Sequence, residues 1–523
     1  MKKKKKLIIV HSKKNIIIDD QNIFYVNLGE SYVKASNCKK ILLSKYYKKY
    51  YNFYKKQLVL SLKKKILKTR NLLPFVFELE IFNLRNDKIK NIDLIINILI
   101  LKKIIKKFKF QDISLISDNP LTQKILYEIY PKIKNNNKIV NFNKNFLFLK
   151  LSKFYIKIFF LLILIKIFKA PTILKNTYKN VCISLAPTFY KNGVENFFKK
   201  KENLKLNFLI TDETHLNLSL INAFRTFKNK YKNLIHVESF IEFNDLFFGL
   251  IKSYKYLFNT KKIDMNFSIE NNNLSKFYEE YFLISLLNRL KLIIYDNAFL
   301  KTFKKFKVKN FEMYLFEYCF GFYLINLIRK NLENIRITGY QHGIFSDKLF
   351  WFELLATDKI KRQYLPDDII SFNRQSLKDY KKIIKSRKIK YKLVKKNASE
   401  ISVSFKNIKK IHLNKHFLIL PGTHDAEAIY ENFKNKDLNN KISREIFYFK
   451  FHPKKKINGI NSKNLKFITS IKNKKFHSAL LSSTSTLVYD FINLKKNFMV
   501  YDIDNKQNLI SSSLQNKVKF YKI

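Results

Sequence analysis

Three short clusters in this 523-residue chain combine residue types that can move a proton or hold a phosphate. Gly339-Tyr340-Gln341-His342-Gly343 sets one of nine histidines between two of only eight glycines. Glycine lets a ligand approach the backbone closely, and imidazole exchanges a proton near neutral pH. His342 therefore fits general-base or phosphate-contact chemistry, the plainer alternative being a histidine that hydrogen-bonds its own loop. Phe451-His452-Pro453-Lys454 follows an apolar run of strand length. That puts His452, Pro453 and Lys454 at a strand's carboxyl end, where open α/β sheets bind ligands, although Pro453 serves equally to stop a strand. Ser482-Ser483-Thr484-Ser485-Thr486 leads into the apolar run Leu487 to Ile492. One hydroxyl would cap a helix, and five in a row also offer donors to a phosphate at its N-terminus.

These clusters need strands to aim them. Phe417–Leu420 predicts a strand, Pro421-Gly422-Thr423-His424 a turn, and Asp425 to Phe433 a helix with an acidic first turn. Ile446–Phe451, Leu465–Ile468, Ala479–Leu481 and Phe498–Tyr501 predict further strands. This is the cadence of a nucleotide-binding, doubly wound sheet. Upstream, Ile113–Ile116, Val181–Leu185, Asn207–Ile210, Leu292–Tyr295 and Ile335–Thr338 read as strands. Helical spacing falls at Leu94 to Ile105, Leu216 to Lys228 and Tyr278 to Leu290. Strand–helix alternation of this kind predicts an α/β class with parallel sheets. The divisions expected are an N-terminal α/β region (1–145), an apolar segment (146–170), an α/β domain carrying the Gln-His-Gly cluster (171–375), a lysine-rich connector (376–411) and a Rossmann-like domain (412–523).

Composition narrows the partners. The chain carries 102 Lys+Arg against 40 Asp+Glu, a formal charge of +62, and 46% of its residues are hydrophobic, which excludes a disordered chain. Lysine greatly outnumbers arginine and is scattered, the residue usage of an AT-rich genome rather than a nucleic-acid-binding face. Nucleic acid is thus a weaker expectation than an anionic membrane surface. Phe154–Phe168 is too short to span a bilayer and carries Lys157 and Lys166. It fits a buried helix or one lying in the membrane interface. Leu7–Val10 reads as a first strand, not a signal-peptide core. Cys38, Cys182 and Cys319 lie far apart, and no His, Asp or Glu spacing suggests a metal site, so no metal or other cofactor is expected.

In their order, Gln341-His342-Gly343, the Pro421-Gly422 turn, His452-Pro453 and Ser482 to Asp490 resemble a known family. They are similar to CDP-glycerol glycerophosphotransferase-like and related bacterial surface-carbohydrate transferases of GT-B fold. Tyr489-Asp490-Phe491, Asn493-Leu494-Lys495 and Val500-Tyr501 match the tail of that pattern. Surface-carbohydrate biosynthesis proteins with a Gly-Tyr-Gln-His sequence look closest, with Glu317 upstream and Pro366-Asp367 downstream at matching places. Two features depart from these patterns. The acid-acid-Gly motif of GT-B sialyltransferases is absent, and Asn373 stands where a glycine often follows Pro-Asp. The likeness covers roughly residues 310 to 505.

The resemblance implies two Rossmann-type domains facing a cleft, with the apolar, basic-flanked helix near 154–168. A metal-independent transferase of that kind stabilises a departing nucleotide phosphate with fixed donors: His452, Lys454 and the groups of Ser482, Ser483, Thr484 and Ser485 beside Pro453 and Gly422. It deprotonates an acceptor hydroxyl with His342 or Glu317. Glu317 sits in an apolar stretch, which suits a base and an ion pair equally. Glu427 fits a contact to a sugar hydroxyl or a first-turn acid that complements its helix dipole.

The function expected is transfer of a sugar or polyol phosphate from a nucleotide-activated donor to a lipid-linked or glycan acceptor, in polysaccharide or lipopolysaccharide assembly. The place expected is the inner face of the cytoplasmic membrane, as a peripheral cytoplasmic enzyme. A nucleotide-sugar epimerase on the same fold, or a basic nucleic-acid-binding protein, are the alternatives.

Overall fold

The computed structural model describes residues 5–12, 14, 16–19, 23–29, 33–82, 90–131, 133, 144–168, 177–185, 204–212, 216–221, 223–224, 234–314, 319–332, 334–341, 343–349, 364–384, 388–394, 399–408, 415–422, 425–438, 442, 444–452, 457, 461–504 and 506–522. The protein is mixed α/β with parallel sheets. In the N-terminal sheet, β1 (Lys6–His11) lies between β2 (Ile23–Asn27) and β4 (Asp112–Ser117), and β3 (Lys39–Lys40) pairs outside β2. The long helices α1 (Ser44–Thr69) and α2 (Lys90–Phe108) pack together beside it. α2 holds an almost unbroken buried run from Ile92 to Leu101, as a helix inside a core must.

The second sheet has seven parallel strands. In chain order they are β5 (Asn180–Leu185), β6 (Leu204–Phe208), β7 (Leu234–His236), β8 (Asn310–Tyr314), β9 (Arg336–Tyr340), β10 (Asp368–Ser371) and β11 (Lys390–Leu393). In space they run β7-β6-β5-β8-β9-β10-β11. Helices α3 (Lys144–Phe168), α4 (Phe243–Asn259), α5 (Ser275–Lys291), α6 (Tyr295–Lys305) and α7 (Cys319–Asn331) lie in the layers around it. One hydrophobic core runs from Leu7 through to Ile389, so the N-terminal sheet and this one share their apolar interior.

Three expectations are corrected here, the third only in part. Leu292–Tyr295 is not a strand but the buried corner between α5 and α6. Four apolar residues fit either element, and burial on all sides removes the periodicity that tells them apart. The stretch read as a lysine-rich connector contains α8 (Arg374–Ile384) and the edge strand β11. An edge strand needs one hydrogen-bonded neighbour and tolerates lysines that blunt further pairing. The predicted helix Leu216 to Lys228 holds in part: residues 217–218 form a short strand, residues 220, 221, 223 and 224 are helical with the Ala223 N–H bonded to the Ser219 carbonyl at 2.9 Å, and 225–228 lie outside the described residues.

The third sheet holds β12 (Lys415–Leu420), β13 (Glu445–Phe449), β14 (Leu465–Phe467), β15 (Ser478–Leu481), β16 (Phe498–Asp502) and β17 (Lys519–Lys522). Their spatial order is β14-β13-β12-β15-β16-β17, all parallel. The chain winds outward from β12 to one side and then crosses to build the other. α9 (Ala426–Leu438) and α10 (Leu487–Asn493) cover opposite faces, each over its own apolar cluster.

Candidate functional site at the switch point of the third sheet

The reversal of winding opens a crevice between the carboxyl ends of β12 and β15, where Leu420 lies opposite Leu481. Ligands of doubly wound sheets sit at such a point. The residues that follow these strands meet there. Asp425 accepts the Gly422 N–H at 2.7 Å on one carboxylate oxygen and the Ser482 hydroxyl at 2.6 Å on the other. Ser482 Oγ lies 2.9 Å from Thr484 Oγ1. The Gly422 N–H also points at the Tyr501 hydroxyl, 3.4 Å away, from the end of β16. Burial, and next the Asp425 carboxylate, push the Tyr501 phenol well above its ordinary range, so it stays protonated.

Gly422 is required by close approach. A Cβ at this position would sit 3.0 Å from Ser482 Oγ, 3.1 Å from Asp425 Oδ1 and 3.1 Å from Thr484 Oγ1. Ser482 is fully buried and its hydroxyl is given to Asp425, so it shapes the crevice. Ser483, Thr484 and Ser485 are part-exposed and turn across the mouth. One hydroxyl of the run meets the helix start, Ser485 Oγ accepting the Leu487 N–H at 3.3 Å. α10 has seven residues and starts after Thr486, whose own side chain makes no cap bond.

A second set of bonds joins the second sheet to the helix α10 of the third sheet. Gln341, buried directly after β9, takes the Ser371 hydroxyl on Oε1 at 2.5 Å and donates to the Gly343 carbonyl at 2.9 Å. It also donates to Ser376 Oγ at 3.2 Å. Ser376 in turn donates to the Tyr489 hydroxyl of α10 at 2.8 Å. Tyr489 accepts the Phe345 N–H at 3.1 Å and donates to the Phe345 carbonyl at 3.2 Å. Burial pushes its phenol up to about 12. Every member of this buried relay has a partner, which makes it rigid.

The remaining expected residues divide clearly. His452 is exposed, three residues past β13, and Glu427 is exposed in the first turn of α9. His342, Glu317, Pro453 and Lys454 lie outside the described residues. Asp367 of the Pro-Asp pair holds the fold instead, accepting the Ile337 N–H at 2.8 Å and the Arg329 guanidinium at 2.5 Å at the amino ends of β9 and β10. Asp490 accepts the Ser399 N–H at 2.9 Å and the Ser402 hydroxyl at 3.2 Å, tying α10 to the short helix at 400–404.

Sequence reasoning missed Asp425 as the hub, reading it only as a first-turn acid. It also passed over an analogous cluster at the switch point of the first sheet. There Ser12 donates to Asp118 at 3.0 Å, and His11 Nδ1 lies 2.5 Å from Thr122 Oγ1. The signal was available in the polar residues directly after β1 and β4. Among the described residues, no group of three His, Cys, Asp or Glu side chains gathers to hold a metal ion. No family model matches the chain, and no curated protein matches it.

Proposed function

We propose that the chain is a GT-B-type transferase. It moves a sugar or polyol-phosphate unit from a nucleotide-activated donor to a lipid-linked or glycan acceptor in surface-polysaccharide assembly. The observation that carries the reading is the Gly422–Asp425–Ser482–Thr484 cluster at the switch point of a six-stranded parallel sheet. Donor phosphate would lie against this crevice, with His452 at its edge and Ser483 to Ser485 supplying hydroxyls. His342 lies between Gln341 and Gly343, which the Ser376–Tyr489 relay ties to the donor-side domain, and it is our candidate base, with Glu317 the alternative.

The same reading sets the enzyme against the inner face of the cytoplasmic membrane. Of the twenty-three large apolar side chains that stand exposed among the described residues, eleven lie on α3 and α4. The two helices pack together, with Gly249 facing the Tyr155 hydroxyl, and their exposed faces meet where Phe159 touches Phe243 at 5.9 Å between centroids. Lys166 lies over that Phe243 ring at 4.3 Å. α3 carries no acidic residue, and the one acid of α4, Asp245, is buried. An aromatic face ringed by lysines suits an anionic bilayer surface. Among the described residues no helix is long and apolar enough to cross a membrane.

The test is a thermal-shift panel of CDP, CMP, UDP, GDP and a short DNA duplex on the wild type and His452→Ala. Stabilisation by one nucleotide, weakened in the variant, supports the donor site and names its class. Stabilisation by DNA alone, indifferent to His452, sinks the transferase reading.

A further inference from the structure

A cavity of about 450 Å³ lies in the helical layer between α4, the α5–α6 corner and α7, within the range of small-molecule sites. Its floor is fixed. Arg289 and Asn326 both donate to the buried Glu78, and the Arg289 guanidinium lies 4.7 Å from the Phe75 ring centroid and 4.6 Å from that of Tyr323. Phe75 and Tyr323 also line the cavity. On this floor and wall, Asn326 Oδ1 is buried and accepts no hydrogen bond, while the buried Tyr323 hydroxyl and Asp296 Oδ1 approach each other without forming a well-formed one. Orphaned buried acceptors carry a desolvation penalty that a donor-rich ligand would relieve.

Charge selects among donor-rich ligands. Asp245, Asp296 and Glu78 around the cavity disfavour an anion. Arg289, Lys252 and Lys330 disfavour a simple cation. An uncharged molecule with several hydroxyls and an apolar face for the rings meets both conditions.

We propose that this cavity binds an uncharged polyhydroxylated unit, a sugar ring or polyol, donating its hydroxyls to Asn326 and Asp296 and accepting a hydrogen bond from the Tyr323 hydroxyl. The inference goes beyond the donor crevice and stands without it. The cavity uses the C-terminal half of α7, which runs back from the carboxyl end of β8 toward the amino ends of the strands. Its mouth includes Phe248 and Lys252 of the exposed α4 face, so the unit is either a free glycan or the head group of a glycolipid lying against that face.

Calorimetric titration of the full chain tests this with glycerol, ribitol, glucose, galactose and N-acetylglucosamine. Phosphoethanolamine and inorganic phosphate serve as charged controls. A second arm uses neutral phosphatidylcholine vesicles with and without a monohexosyl diacylglycerol. The expected result is binding of at least one neutral compound, in solution or only on vesicles, with the arm naming its source. Tyr323→Phe should weaken it about tenfold, the loss of one hydrogen bond. Leu300→Trp, at the part-exposed rim, should abolish it with circular dichroism unchanged, and His452→Ala should leave it intact. The proposal is overturned if no neutral compound binds in either arm, if Leu300→Trp binds as the wild type does, or if a charged control binds in preference. None of these results bears on nucleotide binding at the donor crevice.

Discussion

The Tyr489 hydroxyl and the Gln341 amide meet on a single atom, Ser376 Oγ, at 2.8 and 3.2 Å. One residue belongs to the hydroxyl-rich cluster's following helix and the other to the Gln-His-Gly cluster, which lies well over a hundred residues earlier in the chain. The two motifs are therefore connected through one buried serine, and the connection is testable.

Tyr489→Phe keeps the ring and leaves the Phe345 N–H and the Ser376 hydroxyl without their acceptor. We expect it to cost about 1–3 kcal/mol in urea unfolding. Ser376→Ala should be strongly non-additive with it, because both variants break one network. Additive losses in the double variant would show that the relay is not a unit.

Gly422→Ala forces a methyl against Ser482 Oγ, Asp425 Oδ1 and Thr484 Oγ1. The strands beneath are unaffected, so the fold should survive. Nucleotide stabilisation in the thermal-shift panel should fall by an amount equivalent to roughly tenfold in affinity, or about 1.4 kcal/mol. Undiminished stabilisation would place the nucleotide elsewhere.

Burial raises the Glu238 carboxyl from 4.5 to about 7, although it accepts the Leu209 N–H and the Tyr295 hydroxyl. In the folded protein it stays protonated to near neutrality, while the unfolded chain releases its proton from about pH 4.5. The unfolded state then binds fewer protons, so this group's contribution is full below pH 4.5 and is lost as pH rises to 7. Burial pulls the neighbouring His236 from 6.5 down to about 4, which works in the opposite direction between pH 4 and 6.5. Glu238→Gln removes only the first effect. Relative to the wild type it should gain about 3 kcal/mol between pH 4.5 and 7 in urea unfolding. A difference that stays flat with pH would refute this.

Phe247 and Phe248 stand 61% and 66% exposed on α4. Replacing both with serine should lower sedimentation with phosphatidylglycerol vesicles at least tenfold, since each ring is worth about 1.5–3 kcal/mol when buried. Wild-type binding should weaken with salt and with neutral lipid. Equal binding by the variant would remove this face from the interface.

Much of the third sheet was legible because Phe417–Leu420 and Ala479–Leu481 are apolar runs ended by turn residues. Lys390–Leu393 was hidden by its lysines, which an edge position permits. Leu292–Tyr295 was misread because a buried corner looks like a buried strand. The crevice was half legible: Gly422, Ser482 and Thr484 stood out by type, whereas Asp425 looked like any first-turn acid. The Glu78, Arg289, Asp296 and Asn326 group was not legible at all. Its members lie up to about 250 residues apart and meet only through helix packing.

The central strand of the seven-stranded sheet arrives late. β8 pairs with β5, yet it follows it by about 125 residues. A nascent chain growing at roughly 5–20 residues per second would hold one side of β5 unpaired for on the order of ten seconds. Pairings so distant in sequence also make for slow folding. The ribosome-bound chain therefore passes through a state with an open, apolar strand edge, and production of the full-length protein should depend on chaperone supply and growth temperature more than its finished core would suggest.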